Sequence, residues 1–577
     1  MTSTLEALPS DILQHIALQT TNGSYSPSGT LHGISPLLLA SSTLYRNLCM
    51  ESCPHLYADI FRRLFDTRAF LRRFKFQVTD SALASELVVR CEMLQRVRRR
   101  SILPSELRKD LWTAFWMIQE SDGLNELHLR GAGLPEFLLE ILNNWAENGE
   151  RPTHEFHSLV IWLLCFTLTQ QHILSLPPGV KATLQAYLLP FSRNVHEHAG
   201  STQAINRSAS THLSRTIASR DRLRETNATR GPQLTHVEYS TKEQRYRDYE
   251  DKMGPVDMYG RGWDPSCPDP TLAAINLLFC LREIDSLAVP EHLPETRAIA
   301  IATQRTGPTK EDFLKIRGYK TKLFADTLPS AGYPQNYTIQ GYGSRSGGMD
   351  LEFSRMVLGE GGVKEVKALS LMCGMLAGVW EGFYMFTATQ PGIIGHERQH
   401  HTTPDFICRK PLQSVFTEYV CFADQAPNFP VEDDSSGVRN IPKLCLETEA
   451  GFELDGRKYE RLVVDSDPRQ PHRRGREARE PVDIVLLGKT LEEHEQAWGG
   501  FKFAGRVRRD GSIILKREAK EGGGEGLSAG TWIFEGRVCF GELFAGTCSP
   551  NSSVTNNTSA MRGIFSMQKR AKDFTSW

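Results

Sequence analysis

The hydrophobic period of this chain changes near residue 350, and that change limits what it can fold into. Before it, apolar residues recur at helical spacing: Leu83, Leu87, Val88, Cys91 and Leu94, then Leu111, Trp112, Phe115, Trp116 and Ile118. After it come short apolar runs divided by Gly, Pro and Asp. The first pattern buries a stripe of a helix and the second a face of a strand. At 577 residues the chain also exceeds what one core usually holds. The expectation is an α+β multidomain protein, with helices first and an antiparallel β-barrel or sandwich after them.

Within the helical part, Leu56–Phe76 interleaves aromatics with Arg62, Arg63, Arg68, Arg72 and Arg73, as an amphipathic helix does. Pro135–Trp145 and Phe156–Leu176 continue the helical period, and Pro177-Pro178-Gly179 ends it. Leu124–Leu134 looks like one leucine-rich repeat but has no second copy, so a solenoid is excluded. Asn194–Gly231 is poor in large apolar residues and Thr241–Lys252 is highly charged, which predicts a flexible linker over 194–265. Thr271–Ser286 reads as a buried helix, and Tyr333–Gly348 as a Gly-rich linker.

Composition narrows the function classes. The formal net charge is −1, so no global field favours nucleic acid or an acidic membrane. No Cys-x-x-Cys occurs among the twelve cysteines, against a zinc ribbon or a thioredoxin-type site. The first twenty residues lack a secretory pattern. The longest apolar run, Leu159–Phe166, is too short to span a bilayer. An intracellular protein, of cytoplasm and/or nucleus, is expected.

The N-terminus carries the most specific motif. Leu8, Ile12, Leu13 and Ile16 fit one helical face, and Pro9-Ser10-Asp11 is helix-start chemistry. A second segment, Pro36–Leu48, with Leu38 and Leu39, supplies apolar cover after the Gly- and Ser-rich loop Thr20–Ser35. This order resembles an F-box, the helical module that docks on the Skp adaptor of cullin–RING ubiquitin ligases. The resemblance covers about residues 5–50 and implies adaptor binding through Leu8, Pro9, Ile12, Leu13, Ile16, Leu38 and Leu39. Ile102–Leu107 is a poorer echo and reads as a simple helix start.

In the second half, candidate strands are Val366–Leu371, Val379–Ala388, Ser414–Phe422, Phe452–Leu454, Arg461–Val464, Val482–Lys489, Phe501–Arg508, Ser512–Arg517, Gly530–Glu535 and Val538–Ala545. Asp510-Gly511 marks one hairpin, and a second is expected to turn near Gly536. Gly378-x-Trp380, followed by Gly382 and Tyr384, resembles the opening strand of lipocalin-like barrels, with a later echo in Gly530-x-Trp532. Together with the N-terminal motif, it resembles F-box proteins that carry a substrate-binding β-barrel. The domains expected are an F-box over 1–52, a helical domain over 53–193, the linker over 194–265, and a helix plus Gly-rich linker over 266–350. A barrel over 351–548 and a polar tail over 549–577 complete the chain. The resemblance implies a non-catalytic substrate receptor without a cofactor. Its partners would be the Skp adaptor, through it the cullin–RING core, and a protein target.

One motif competes. His396-Glu397-Arg398-Gln399-His400 matches the His-Glu-x-x-His of zinc hydrolases, which needs both imidazoles on one helix face. Glycines before it and His401-Thr402-Thr403-Pro404 after it favour a polar loop. An open barrel carrying a small ligand is a third reading.

Overall fold

Helix-start chemistry places most of the N-terminal elements. The computed structural model describes residues 5–20, 34–74, 78–150, 152–193, 255–283, 289–317, 320–327, 345–357, 368–387, 406–423, 451–454, 456–462, 479–508, 511–520, 531–539, 542–551 and 562–570. Twelve helices come first: α1 Ser10–Thr20, α2 Ser35–Ala40, α3 Ser42–Leu48, α4 Pro54–Leu64, α5 Arg68–Arg73 and α6 Asp80–Arg98, then α7 Pro104–Gln119, α8 Leu124–Gly131, α9 Leu134–Asn148, α10 His154–Thr167, α11 Gln170–Ser175 and α12 Pro178–Arg193. Proline opens α4 and α7, where its missing N–H costs nothing. The hydroxyls of Thr79, Thr153 and Thr169 accept from the first-turn N–H groups of Ala82, Phe156 and His172. Gly149, at φ +63°, ends α9 in the left-handed conformation.

The linker expected over 194–265 is corrected at its end. Val256–Met258 (β1) and Arg261–Trp263 (β2) form a hairpin through Tyr259 and Gly260, both at positive φ, as a tight primed turn requires. Val256, Met258 and Tyr259 are buried against the helices, so apolar burial holds what composition alone left as linker. Tyr259 Oη donates to Glu120 (2.7 Å) and accepts from Arg90 Nη2 (3.0 Å). Arg90 also reaches Glu86 (3.0 Å) and Glu120 (2.7 Å), and its guanidinium lies 4.9 Å from the centre of the Phe61 ring.

The helix Thr271–Arg282 (α13) forms as expected and is apolar all round because it is covered on both sides. It packs against α10 and α12 and against two strands of the sheet. Helices Arg297–Ala302 (α14), Lys310–Arg317 (α15), Asp350–Val357 (α16) and Ala368–Met372 (α17) lead into that sheet. The last of these lies where Val366–Leu371 reads as a strand. The four residues Ala368–Leu371 are helical instead, with Ala368 and Met372 buried beside the sheet.

The strands are β3 Gly378–Thr387, β4 Phe406–Phe422, β5 Gly451–Leu454, β6 Arg457–Arg461, β7 Pro481–Lys489, β8 Phe501–Val507, β9 Ser512–Ala519, β10 Trp532–Cys539, β11 Leu543–Pro550 and β12 Arg562–Lys569. A helix, Glu492–Trp498 (α18), joins β7 to β8. Their order is β3-β12-β11-β10-β9-β8-β7-β4, and β3 pairs with β4 to close an antiparallel barrel of eight strands. β5 and β6 extend one end of β4. The fold is therefore α+β, with the helical region N-terminal and the barrel C-terminal.

Two expectations about the barrel fail. The hairpin expected to turn at Gly536 does not turn there. β10 runs straight through it and the chain reverses between Cys539 and Leu543. Gly536 is instead needed for close strand approach, since a Cβ there would lie 2.2 Å from the Ala545 carbonyl oxygen. The polar tail over 549–577 contains β12, the strand without which the barrel would not close. Its Ile564, Phe565 and Met567 are all buried, a short apolar run hidden by the polar residues flanking it.

Candidate docking face and barrel interior

The N-terminal module is held by alternation between core and surface. Leu13 and Ala17 of α1, with Ile34, Leu44 and Leu48, join the core of the helical region. α1 is tied to α4 by Gln14, whose amide donates to Cys53 Sγ (3.2 Å) and whose carbonyl meets His55 Nε2 at 2.7 Å. Ser41 caps α3 by accepting from the Leu44 N–H at 3.2 Å.

This arrangement divides the expected adaptor contacts. Leu13 is 2% exposed, so it serves the interior and cannot face a partner. Its place on the helix, one residue past Ile12, turns it to the other side. Leu8 and Leu38 are partly buried against the core. Pro9 is exposed and Ile16 half-buried, while Ile12 and Leu39 are 44% and 86% exposed. Tyr45, which the motif did not single out, is 52% exposed on α3. Three of the nine large apolar residues most exposed among the described ones thus lie within this short module. Isolated exposed apolar residues are ordinary, and Ile299, Ile301 and Leu314 make a comparable group on α14 and α15.

The barrel interior is filled by its own side chains. Trp380, Tyr384, Phe416, Phe503, Phe534, Phe544 and Phe565 belong to one buried cluster. Trp380 is 1% exposed, and its indole N–H donates to the Leu376 carbonyl at 2.8 Å, sealing the end where β3 begins. Buried Glu418 holds the approach to that strand by accepting the N–H groups of Gly374 (2.7 Å), Ala377 (2.6 Å) and Leu376. Burial pushes the Glu418 carboxyl up, against the pull of those three donors. Gly382 has no room for a side chain, because a Cβ would lie 1.9 Å from the Ser566 carbonyl oxygen. Gly378 sits at φ +126°. These residues of the Gly-x-Trp segment are structural. Trp532 packs on Phe386 with ring centres 4.7 Å apart, whereas Gly530 lies outside the described residues.

No family model, curated protein or solved structure matches this chain. The reading of its sites therefore rests on its own geometry.

His396, Glu397 and His400 lie outside the described residues. Among the described residues one set of side chains could gather a cation: Glu381, Glu493 and His494. Arg570 already stands there, bonded to Glu381 and, at 3.1 Å, to Glu493. Among the described residues no helix is long and apolar enough to cross a membrane.

Sequence reasoning missed Arg517. It lies on β9 on the same face as Ile513 and Leu515, which are interior residues, and is 2% exposed. The alternation of the strand was legible, and carrying it one step further would have put an arginine inside the barrel.

Proposed function

We propose that this protein is the substrate-recognition subunit of a Skp–cullin–F-box ubiquitin ligase. The N-terminal module would dock the Skp adaptor through Pro9, Ile12, Ile16, Leu39 and Tyr45, while Leu13, Leu44 and Leu48 hold it to the helical region. The observation that carries this reading is the exposure of Ile12 and Leu39 within a module whose neighbouring leucines are core. The helical region then serves as a rigid spacer, since α13 is packed against helices on one side and β11 and β12 on the other. A protein target would be held by the barrel. No covalent chemistry is required of the chain, because holding a target beside a ubiquitin-charged enzyme raises its effective concentration.

The test is co-purification of the full chain with the Skp adaptor. Ile12→Asp with Leu39→Asp places charge on the docking face without touching the core. A buried unpaired charge is costly enough to remove a small interface. Loss of the adaptor with an unchanged melting temperature is expected. Absence of adaptor binding by the unaltered chain would end the proposal.

A further inference from the structure

Arg517 is a buried cation without a counter-ion among the described residues. Its Nε and Nη2 are buried, and neither has a hydrogen-bond partner among the described residues. Four rings surround its guanidinium carbon: Phe501 at 4.3 Å, Tyr384 at 5.1 Å, Phe534 at 5.3 Å and Trp532 at 6.0 Å. Ring faces attract a cation, but they accept no N–H in the way a carboxylate does. An uncompensated buried charge is normally selected against, so its presence calls for a reason.

The same molecule shows what this pair of nitrogens is suited to. Arg72 grips Asp350 through Nε (2.6 Å) and Nη2 (2.8 Å). Arg96 holds Asp110 through Nε (2.8 Å) and Nη2 (2.7 Å). Arg506 holds Asp483 through Nε (3.1 Å) and Nη2 (2.5 Å). In each case one edge of the planar guanidinium takes both oxygens of one carboxylate. Arg517 presents that edge with nothing on it.

We propose that Arg517 is the anchor of a carboxylate-binding site in the barrel, at the end away from Trp380. The aromatic rings would receive the apolar body that carries the carboxylate. β3 fixes the direction, running from Trp380 at its closed end to Tyr384 beside Arg517. The packed interior leaves no room for a long ligand, so the group held would be a short acidic one that enters by displacing a ring side chain. Two sources share this chemistry: an acidic side chain on a target segment, or a free organic acid. The inference needs only the barrel and does not depend on adaptor docking.

The experiment uses the full chain, thermal melting and tryptophan emission. The probes are phenylacetate and a capped peptide, acetyl-Ala-Phe-Glu-Phe-Ala-amide. Phenylacetamide and the Gln version of the peptide are the uncharged controls. A carboxylate probe is expected to raise the melting temperature, with its control silent. Arg517→Met should abolish that response and raise the melting temperature of the unliganded protein by about a few degrees, because it removes an unpaired buried charge. Arg517→Lys keeps the charge without the fork and should weaken binding by about tenfold or more. Response to the peptide alone assigns the site to a target side chain, and response to phenylacetate alone to a small acid. The proposal fails if neither probe is bound, or if Arg517→Met responds to the probe as the unaltered chain does. It also fails if Arg517→Met melts lower, for the arginine would then be a brace for the rings.

Discussion

Among the described residues Arg90 in the helical region and Arg517 in the barrel are the two most completely buried arginines, and they are treated in opposite ways. In the helical region Arg90 is enclosed by Glu86, Glu120 and Tyr259, with Phe61 and Phe65 beside it. In the barrel Arg517 has rings around it and, among the described residues, no carboxylate. The closed network fixes structure: it joins α6, the end of α7 and the β1–β2 hairpin through one charge. The open fork fixes little and leaves an interaction unused. A buried cation thus signals architecture where carboxylates face it, as at Arg90 even though its Nη1 has no partner, and a binding role where none does among the described residues.

The sharpest way to break this comparison is to open the closed network. Glu120→Ala would leave Arg90 with Glu86 as its one carboxylate beside the Tyr259 hydroxyl, in a place where Arg90 is 0% exposed. Removing one partner of a buried pair costs about 3–5 kcal/mol. The expected result is a large fall in the denaturation midpoint, read by urea titration. Arg517→Met is expected to move stability the other way. If both changes destabilised alike, the distinction between the two arginines would collapse.

A smaller change tests whether the hairpin belongs to the same unit. Tyr259→Phe keeps the ring beside Phe70, 5.0 Å away, and removes only the hydroxyl that links Arg90 to Glu120. The loss should be about 1.5–3 kcal/mol, the range for hydrogen bonds to charged groups. Urea unfolding followed by circular dichroism would measure it. An unchanged midpoint would mean that Arg90 and Glu120 close the network by themselves.

The two halves were also unequally legible. The helical period gave α6, α7, α9 and α10, because each buries a stripe that recurs along a long segment. The barrel strands were found where Gly, Pro or Asp-Gly punctuated them, as at Gly511. Where punctuation misled, the reading failed. Gly536 looks like a turn but serves strand contact, a pairing with Gly546 and Ile513 that no local pattern encodes. β12 was lost because three apolar residues in a polar stretch gain meaning only when the barrel closes on them. At the N-terminus, spacing put Leu13 with Ile12 and Ile16, yet only packing against α3 and α4 decides which residues face in. The charge networks were not legible, since Tyr259 lies 169 positions from Arg90.

A third test looks at a buried carboxyl that is neither fully matched nor open. Glu126 of α8 is 2% exposed, with Arg345 Nε 3.2 Å from its Oε1. Burial pushes its pKa up to about 7, with Arg345 and Arg130 opposing and Asp66 adding to the rise. The folded protein therefore holds this proton more tightly than the unfolded chain. Its contribution to stability is full below the ordinary carboxyl range and is lost as pH rises through about 7. Asp66, pushed up to about 6, acts in the same direction. His157, held down to about 4 by burial, acts in the opposite one, and Glu418 and others add their own shifts, so the total profile mixes several groups. The difference between Glu126→Gln and the unaltered chain isolates one of them. Gln cannot ionise, so the variant should match the unaltered chain near pH 5 and exceed it near pH 8 by about 2–3 kcal/mol. The attraction of Arg345 is already contained in the raised value. Melting temperatures across that range would measure it. A variant less stable at the higher pH would place Glu126 with Glu120, as the charged partner of a closed pair.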